Sequence, residues 1–473
     1  MKKLFLISIL LLSGILSAKT AIRLPSVFGN NMVLQQNADV NVWGWADKGR
    51  TITVEPSWTQ QKYTATADVS GRWSLKIQTP AASYDVRSIK ASDGESRLDL
   101  ENVLVGEVWL CLGQSNMEMP VKGFKNQPVE GGNETIFRSG NKNIRFITVQ
   151  RASELEPRDD FKGEWEEARP ETVKEFSATG YYYGRLLNEM LDVPVGLILA
   201  SWGGSWIESW MSREALSDFK EIQLPRRVED IKEKNRTPTA LYNGMIHPVK
   251  GYAIRGGIMY HGESNYDRAD KYSGLFQRFV KETRKIWGQG DFPFYYCQIA
   301  PYDNPPGERG DFNSAFLREA QYKSASVIPN AGMVVLMDIG EEFCIHPRKK
   351  RVAGERLAML ALAKTYGMTG YACESPVFKE MEIVDSKAIL SFDKAPMWLA
   401  SCNKELKNFE IAGDDRIFYP AKAEIKRSKV EVSSEKVRNP VAVRYAFKDF
   451  VAGDLFGTEG LPVSSFRTDS WNE

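Results

Sequence analysis

Apolar and polar positions fall into three textures along the chain. Over 20–102 they alternate in short runs, as in Val40-Asn41-Val42-Trp43-Gly44-Trp45, Thr51-Ile52-Thr53-Val54 and Trp73-Ser74-Leu75-Lys76-Ile77, with Gly, Asp, Asn and Pro between them. Alternation with period two in β-branched and aromatic residues predicts half-buried strands, and strands this short and frequent predict a sandwich. Over 104–366 the runs become continuously apolar and are separated by longer amphipathic stretches. The runs 105–112, 194–201, 254–260, 294–299 and 334–339 read as strands of a parallel sheet, apolar throughout because helices cover both faces. The stretches 176–191, 272–287 and 350–364 carry helical spacing. From 374 onward β character returns, at 382–384, 387–392, 409–412, 429–432 and 442–445. The fold expected is therefore α/β, a parallel sheet with helices on both faces and flanking β-rich modules.

The first residues change the picture. Met1-Lys2-Lys3 is positive, 4–16 is apolar but for Ser8, Ser13 and Gly14, and Ser17-Ala18 offers small residues for cleavage. That is the pattern of a secretory signal peptide over 1–18, too short to span a bilayer. The mature chain would then comprise a β-sandwich over 19–102, an α/β domain over 103–370 and a β-rich region over 371–473. A secreted or periplasmic location is expected. No other run approaches the roughly 18 apolar residues of a membrane-spanning helix.

Composition adds mainly exclusions. With 62 basic against 61 acidic residues and no long Lys/Arg run, nothing points to nucleic acid. The five cysteines, at 111, 297, 344, 373 and 402, lack metal-ligand spacing, and neither a metal nor another cofactor is expected. Chemistry is expected instead at the strand ends. The first strand stops in Gly113-Gln114-Ser115-Asn116, the second in Trp202-Gly203-Gly204-Ser205, and the third in His261-Gly262-Glu263-Ser264-Asn265. Ligands of open α/β sheets bind beyond the carboxyl ends of strands, so Ser115 stands where a nucleophile would. A serine nucleophile needs a base and oxyanion donors. Of the three histidines, His247 leads into a strand, while His261 and His346 are on position alone equal candidates for the base. Trp202, Trp206 and Tyr260 could stack on a sugar face or simply fill the core.

These blocks, with Ile345-His346-Pro347 and the closing Gly460-Leu461-Pro462-Val463-Ser464-Ser465-Phe466-Arg467-Thr468-Asp469, resemble the SGNH hydrolases, and among them the sialate O-acetylesterase-like carbohydrate esterases. The resemblance spans nearly the whole mature chain. It implies an SGNH-type doubly wound sheet and an esterase acting on O-acetylated glycan. Ser115 would be the nucleophile and His346 its base. The oxyanion donors would be the Ser115 N–H, the Gly204 (or Gly203) N–H and the Asn265 side-chain amide. Gln114, Asn116, Trp202, His261 and Glu263 would contact substrate.

Two departures from the family pattern stand out. His261 occupies a position where the family usually has Gln. The acid that such enzymes commonly place three residues before the histidine is replaced by Phe343. Asp338, Glu341 and Glu342 are then the candidate orienting acids, a Ser–His dyad held by a backbone carbonyl being the alternative. The substrate implied is O-acetylated sialic acid, with acetylated xylan or pectin as the rival and a non-catalytic glycan-binding protein as the third reading.

Overall fold

The structure, a computed structural model, describes residues 21–303 and 312–471. The leader expected over 1–18 lies outside the described residues. Everything is built on one strand, Arg97–Gly113. Successive side chains of a strand point to opposite faces. Val108, Leu110 and Leu112 accordingly enter one core with the helices Ala269–Trp287 and Ala315–Val327. Trp109 and Cys111 enter a second core with Ala178–Leu191 and Lys350–Lys364. A continuously apolar run is what a sheet covered by helices on both faces requires.

Edge to edge, the parallel strands are Ala331–Val334, Phe294–Cys297, Gly256–Tyr260, Arg97–Gly113, Val195–Ser201 and Asn141–Thr148, and Glu166–Ala168 is added antiparallel. After Arg97–Gly113 the chain first forms Asn141–Thr148 two places away, returns to insert Val195–Ser201 between them, and then crosses to Gly256–Tyr260 on the other side. The order reverses at the Arg97–Gly113 strand, the point at which such sheets open a crevice. Register brings the loops together there, since Ser201 and Tyr260 both pair with Gly113.

The same strand enters the N-terminal β region, where Ser83–Ser92 pairs with it antiparallel and Val33–Gln35 parallel. The junction is held by Glu107, fully buried, whose carboxylate accepts from Gln36 at 2.7 Å, Arg255 at 2.8 Å and Tyr366 at 2.7 Å. The C-terminal region forms two antiparallel four-stranded sheets around a core of its own. Its closing segment docks onto the α/β sheet: Gln298 donates to Ser464 Oγ at 2.8 Å, and buried Arg318 donates to Ser465 Oγ at 3.0 Å.

The expected helix at 176–191 is Ala178–Leu191, capped by Ser177 Oγ, which accepts the Gly180 N–H at 2.9 Å. The last strand differs from expectation. It spans Ala331–Val334, not 334–339, because Val335 and Met337 face the C-terminal core and no longer the sheet. Asn141–Thr148 and Ala315–Val327 were not expected as elements; their runs are too short or too polar to stand out by periodicity.

Candidate active site

Ser115 opens a four-residue helix, Ser115–Glu118, directly after the central strand. The turn needs glycine at 113: φ is 149°, and a Cβ there would lie 2.2 Å from the Tyr260 carbonyl oxygen. Ser115 is half-buried, and among the described residues its hydroxyl makes no hydrogen bond. Its N–H is the first of the helix, a position without an intrahelical partner.

The loop after the neighbouring strand lies against it. A Cβ on Gly203 would lie 3.2 Å from Ser115 Cβ, a tight contact that would press on the nucleophile turn. The Gly203 N–H is taken by Glu118 Oε2 at 2.8 Å, and Glu118 is itself paired with Arg151. The Gly204 N–H has no acceptor among the described residues, which makes Gly204 rather than Gly203 the available donor. Asn265 is fully buried; its Nδ2 donates to Glu208 Oε2 at 3.0 Å and its Oδ1 accepts the Ile207 N–H at 3.1 Å. That grip fixes the amide and leaves its second Nδ2 hydrogen uncommitted.

Beneath Ser115 sits a buried polar cluster whose centre is Asn116. Its Nδ2 donates to Glu263 Oε1 and, at 3.0 Å, to the Ile345 carbonyl, while its Oδ1 accepts from Lys350 Nζ. One side chain thus joins the nucleophile turn, the Gly262–Glu263 loop, the segment before His346 and the helix after it. Burial lowers Lys350 to about 8, against the opposing pull of Glu263. His346 is lowered to about 4, by burial and then by the charge of Lys350, so it is the neutral form that prevails at pH 7. Its Nδ1 lies 2.6 Å from Gln127 Oε1, and Phe124 packs edge-on against the ring.

Several expectations are corrected. Gln114, Asn116, His261 and Glu263 are buried under the site and are not open to substrate. Gln114 Oε1 accepts the Gly262 N–H at 3.4 Å, and both ring nitrogens of His261 are engaged, by Tyr272 Oη at 3.2 Å and the Ser205 carbonyl at 3.1 Å. Burial pushes His261 down to about 3. Tyr260 is a core residue. Trp202 stays partly open, as does Trp206, on which Arg268 stacks at 3.8 Å. None of the expected orienting acids meets the His346 ring. Asp338 is held by both guanidinium nitrogens of Arg356 at 2.7 Å, Glu341 accepts the Arg348 N–H at 2.9 Å, and Glu342 is exposed. Nothing local in the sequence marks Gln127 or Lys350 as site residues; periodicity shows only a helix beginning at Lys350.

Comparison with known proteins defines the class. The family model described as "Carbohydrate esterase, sialic acid-specific acetylesterase" matches residues 105–362, and the protein is a carboxylic ester hydrolase of acetylated carbohydrate. A solved carbohydrate acetylesterase from Xanthomonas citri is 34% identical, covering 95% of this chain and 100% of its own, with a TM-score of 0.86. The sialate O-acetylesterase of Homo sapiens is 29% identical over 430 residues, 84% of this chain and 81% of the relative. That of Mus musculus is 28% identical over 435 residues, 79% of each. The chain belongs to the sialic acid-specific acetylesterase family of carbohydrate esterases.

Proposed function

We propose that the protein is an exported sialate O-acetylesterase with an SGNH-type doubly wound sheet, working through an acyl-enzyme on Ser115. The observation that carries this reading is the convergence at the switch point. A half-buried serine with an uncommitted hydroxyl packs against Gly203, next to which the Gly204 N–H is uncommitted, and its neighbour Asn116 is tethered to the carbonyl next to His346. In this reading Ser115 Oγ attacks the acetyl carbonyl as its proton passes to His346 Nε2. The oxyanion meets the Ser115 and Gly204 N–H groups and the Asn265 amide. The sugar oxygen leaves with the proton from His346, and water, activated by the same imidazole, releases acetate.

Sialic acid is favoured over a neutral polysaccharide by the cleft beside the Gly204 loop. It encloses about 400 Å³ and is lined by Trp206, Leu224, Pro225, Arg226, Lys232 and Arg236. Cationic groups beside an aromatic face suit a sugar that carries a carboxylate. Asp230 is paired with Arg227 and Glu233 with Arg236, which leaves Arg226 and Lys232 as the cationic groups offered to a carboxylate. The human and mouse relatives are named for sialate, whereas the Xanthomonas citri neighbour is described only as a carbohydrate acetylesterase. Export rests on the leader over 1–18, and the flanking modules over 19–102 and 371–473 are read as accessory to the domain at 103–370.

The test compares acetate release from O-acetylated sialic acid and from acetylated xylan, by wild type and Ser115→Ala. Release from sialate that is lost in the variant supports the reading. Preference for xylan would overturn the substrate, and an active Ser115→Ala would overturn the nucleophile.

A further inference from the structure

We propose that Gln127 is the positioning residue of the catalytic histidine, filling with a neutral carbonyl the place an acid usually takes. The inference rests on the serine mechanism proposed above. His346 Nδ1 and Gln127 Oε1 are 2.6 Å apart. A carbonyl oxygen only accepts, so this contact holds the proton on Nδ1 and leaves the Nε2 lone pair for the Ser115 hydroxyl.

The turn that presents Gln127 is built for the task. Phe124 and Gln127 exchange both backbone hydrogen bonds, each at 3.0 Å, around Asn126 at φ 61°. The same turn lays Phe124 on the imidazole, with ring centroids 5.2 Å apart. Further along, the Glu130 N–H donates to the Arg348 carbonyl at 2.9 Å, pinning this segment to the histidine loop. From the other side Asn116 holds the Ile345 carbonyl. The histidine is therefore fixed between two anchors, neither of them an acid.

The remaining charged or titratable groups nearby do not take over the role. Lys350 is bonded to Asn116, Cys344 Sγ donates to the His346 carbonyl at 3.3 Å, and Glu341 and Arg348 engage each other. In the acylation step the Ser115 proton moves to Nε2 as the Oγ–C bond forms, then to the departing sugar oxygen as the C–O bond breaks. Gln127 exchanges no proton. It fixes the tautomer and supplies a dipole where an acid would supply a full charge, so the imidazolium is stabilised less.

The experiment uses the full chain with 4-nitrophenyl acetate, which reports acylation whatever the sugar, and compares wild type, Gln127→Ala, Gln127→Glu and Ser115→Ala. Gln127→Ala is expected to lose about 10²-fold in kcat, the scale of a misplaced catalytic group, with KM little changed. Gln127→Glu is expected to stay active, with the acid limb of its pH profile moved upward by about 1–3 units, because a carboxylate favours the imidazolium. A purely structural role would lower activity and thermal stability together without moving that limb. Wild-type kcat in Gln127→Ala, or an unmoved limb in Gln127→Glu, overturns the inference while Ser115→Ala stays inactive. An active Ser115→Ala would instead sink the serine mechanism itself. If Gln127→Ala fails to fold, Gln127→Glu alone decides the matter.

Discussion

Replacing Asn116 with Ala should damage both stability and catalysis, and the size of the loss can be worked from its contacts. The side chain serves three partners, the buried Glu263 Oε1 and Lys350 Nζ and the half-buried Ile345 carbonyl. Hydrogen bonds to charged groups contribute about 1.5–3 kcal/mol each, and one to a neutral carbonyl about 1 kcal/mol. The gross loss is therefore about 4–7 kcal/mol, reduced to about 3–5 kcal/mol if water enters the space left behind. For a unit of this size each kcal/mol shifts the midpoint by roughly 2–4 °C, so a fall of roughly 6–20 °C is expected in thermal unfolding followed by tryptophan fluorescence. Catalysis should fall by about 10²-fold in kcat even in the folded fraction at 20 °C, because Ile345 loses its anchor and His346 drifts. Asn116→Asp separates the terms. It keeps the acceptor for Lys350 but sets a carboxylate against Glu263 and the Ile345 carbonyl, so it should be at least half as destabilising as Ala. A midpoint change below about 2 °C in both variants would refute the idea that this cluster ties the site together.

The pH dependence should differ from that of an ordinary imidazole. His346 must be neutral to accept the serine proton, and its lowered value of about 4 places the acid limb of kcat/KM well below the usual histidine range. A limb near 6.5 would contradict the burial argument. His261→Gln should keep substantial activity, since His261 is neutral and a glutamine N–H can still reach the Ser205 carbonyl; loss as complete as in His346→Ala, which should fall by about 10³-fold, would show that His261 does more than brace the loop. Chelators should leave activity unchanged, because no group of three or more His, Cys, Asp or Glu among the described residues is placed to hold a metal ion; inhibition reversed by added metal would contradict this.

Local pattern was enough for much of this. The continuously apolar run ending in Gly113-Gln114-Ser115 announced a strand covered on both faces, and the structure places such a strand at the point where the sheet order reverses. The helix over 176–191 and the strands ending at Ser201 and Tyr260 follow from periodicity and turn residues within a few positions of each other. What no local pattern could reveal is which polar side chains meet across the fold. Gln127 reaches His346 over 219 positions, and Lys350 reaches Asn116 over 234. The acids near His346 in sequence were turned to Arg356 and Arg348 instead. The same holds for His261: its sequence neighbours mark it as a site residue, but the packing of Tyr272 and the Ser205 carbonyl around it makes it part of the foundation. Secondary structure is dictated by spacing along the chain, whereas hydrogen-bond partners are selected by burial, which leaves few polar groups inside without a mate and takes that mate from whichever segment the fold brings near.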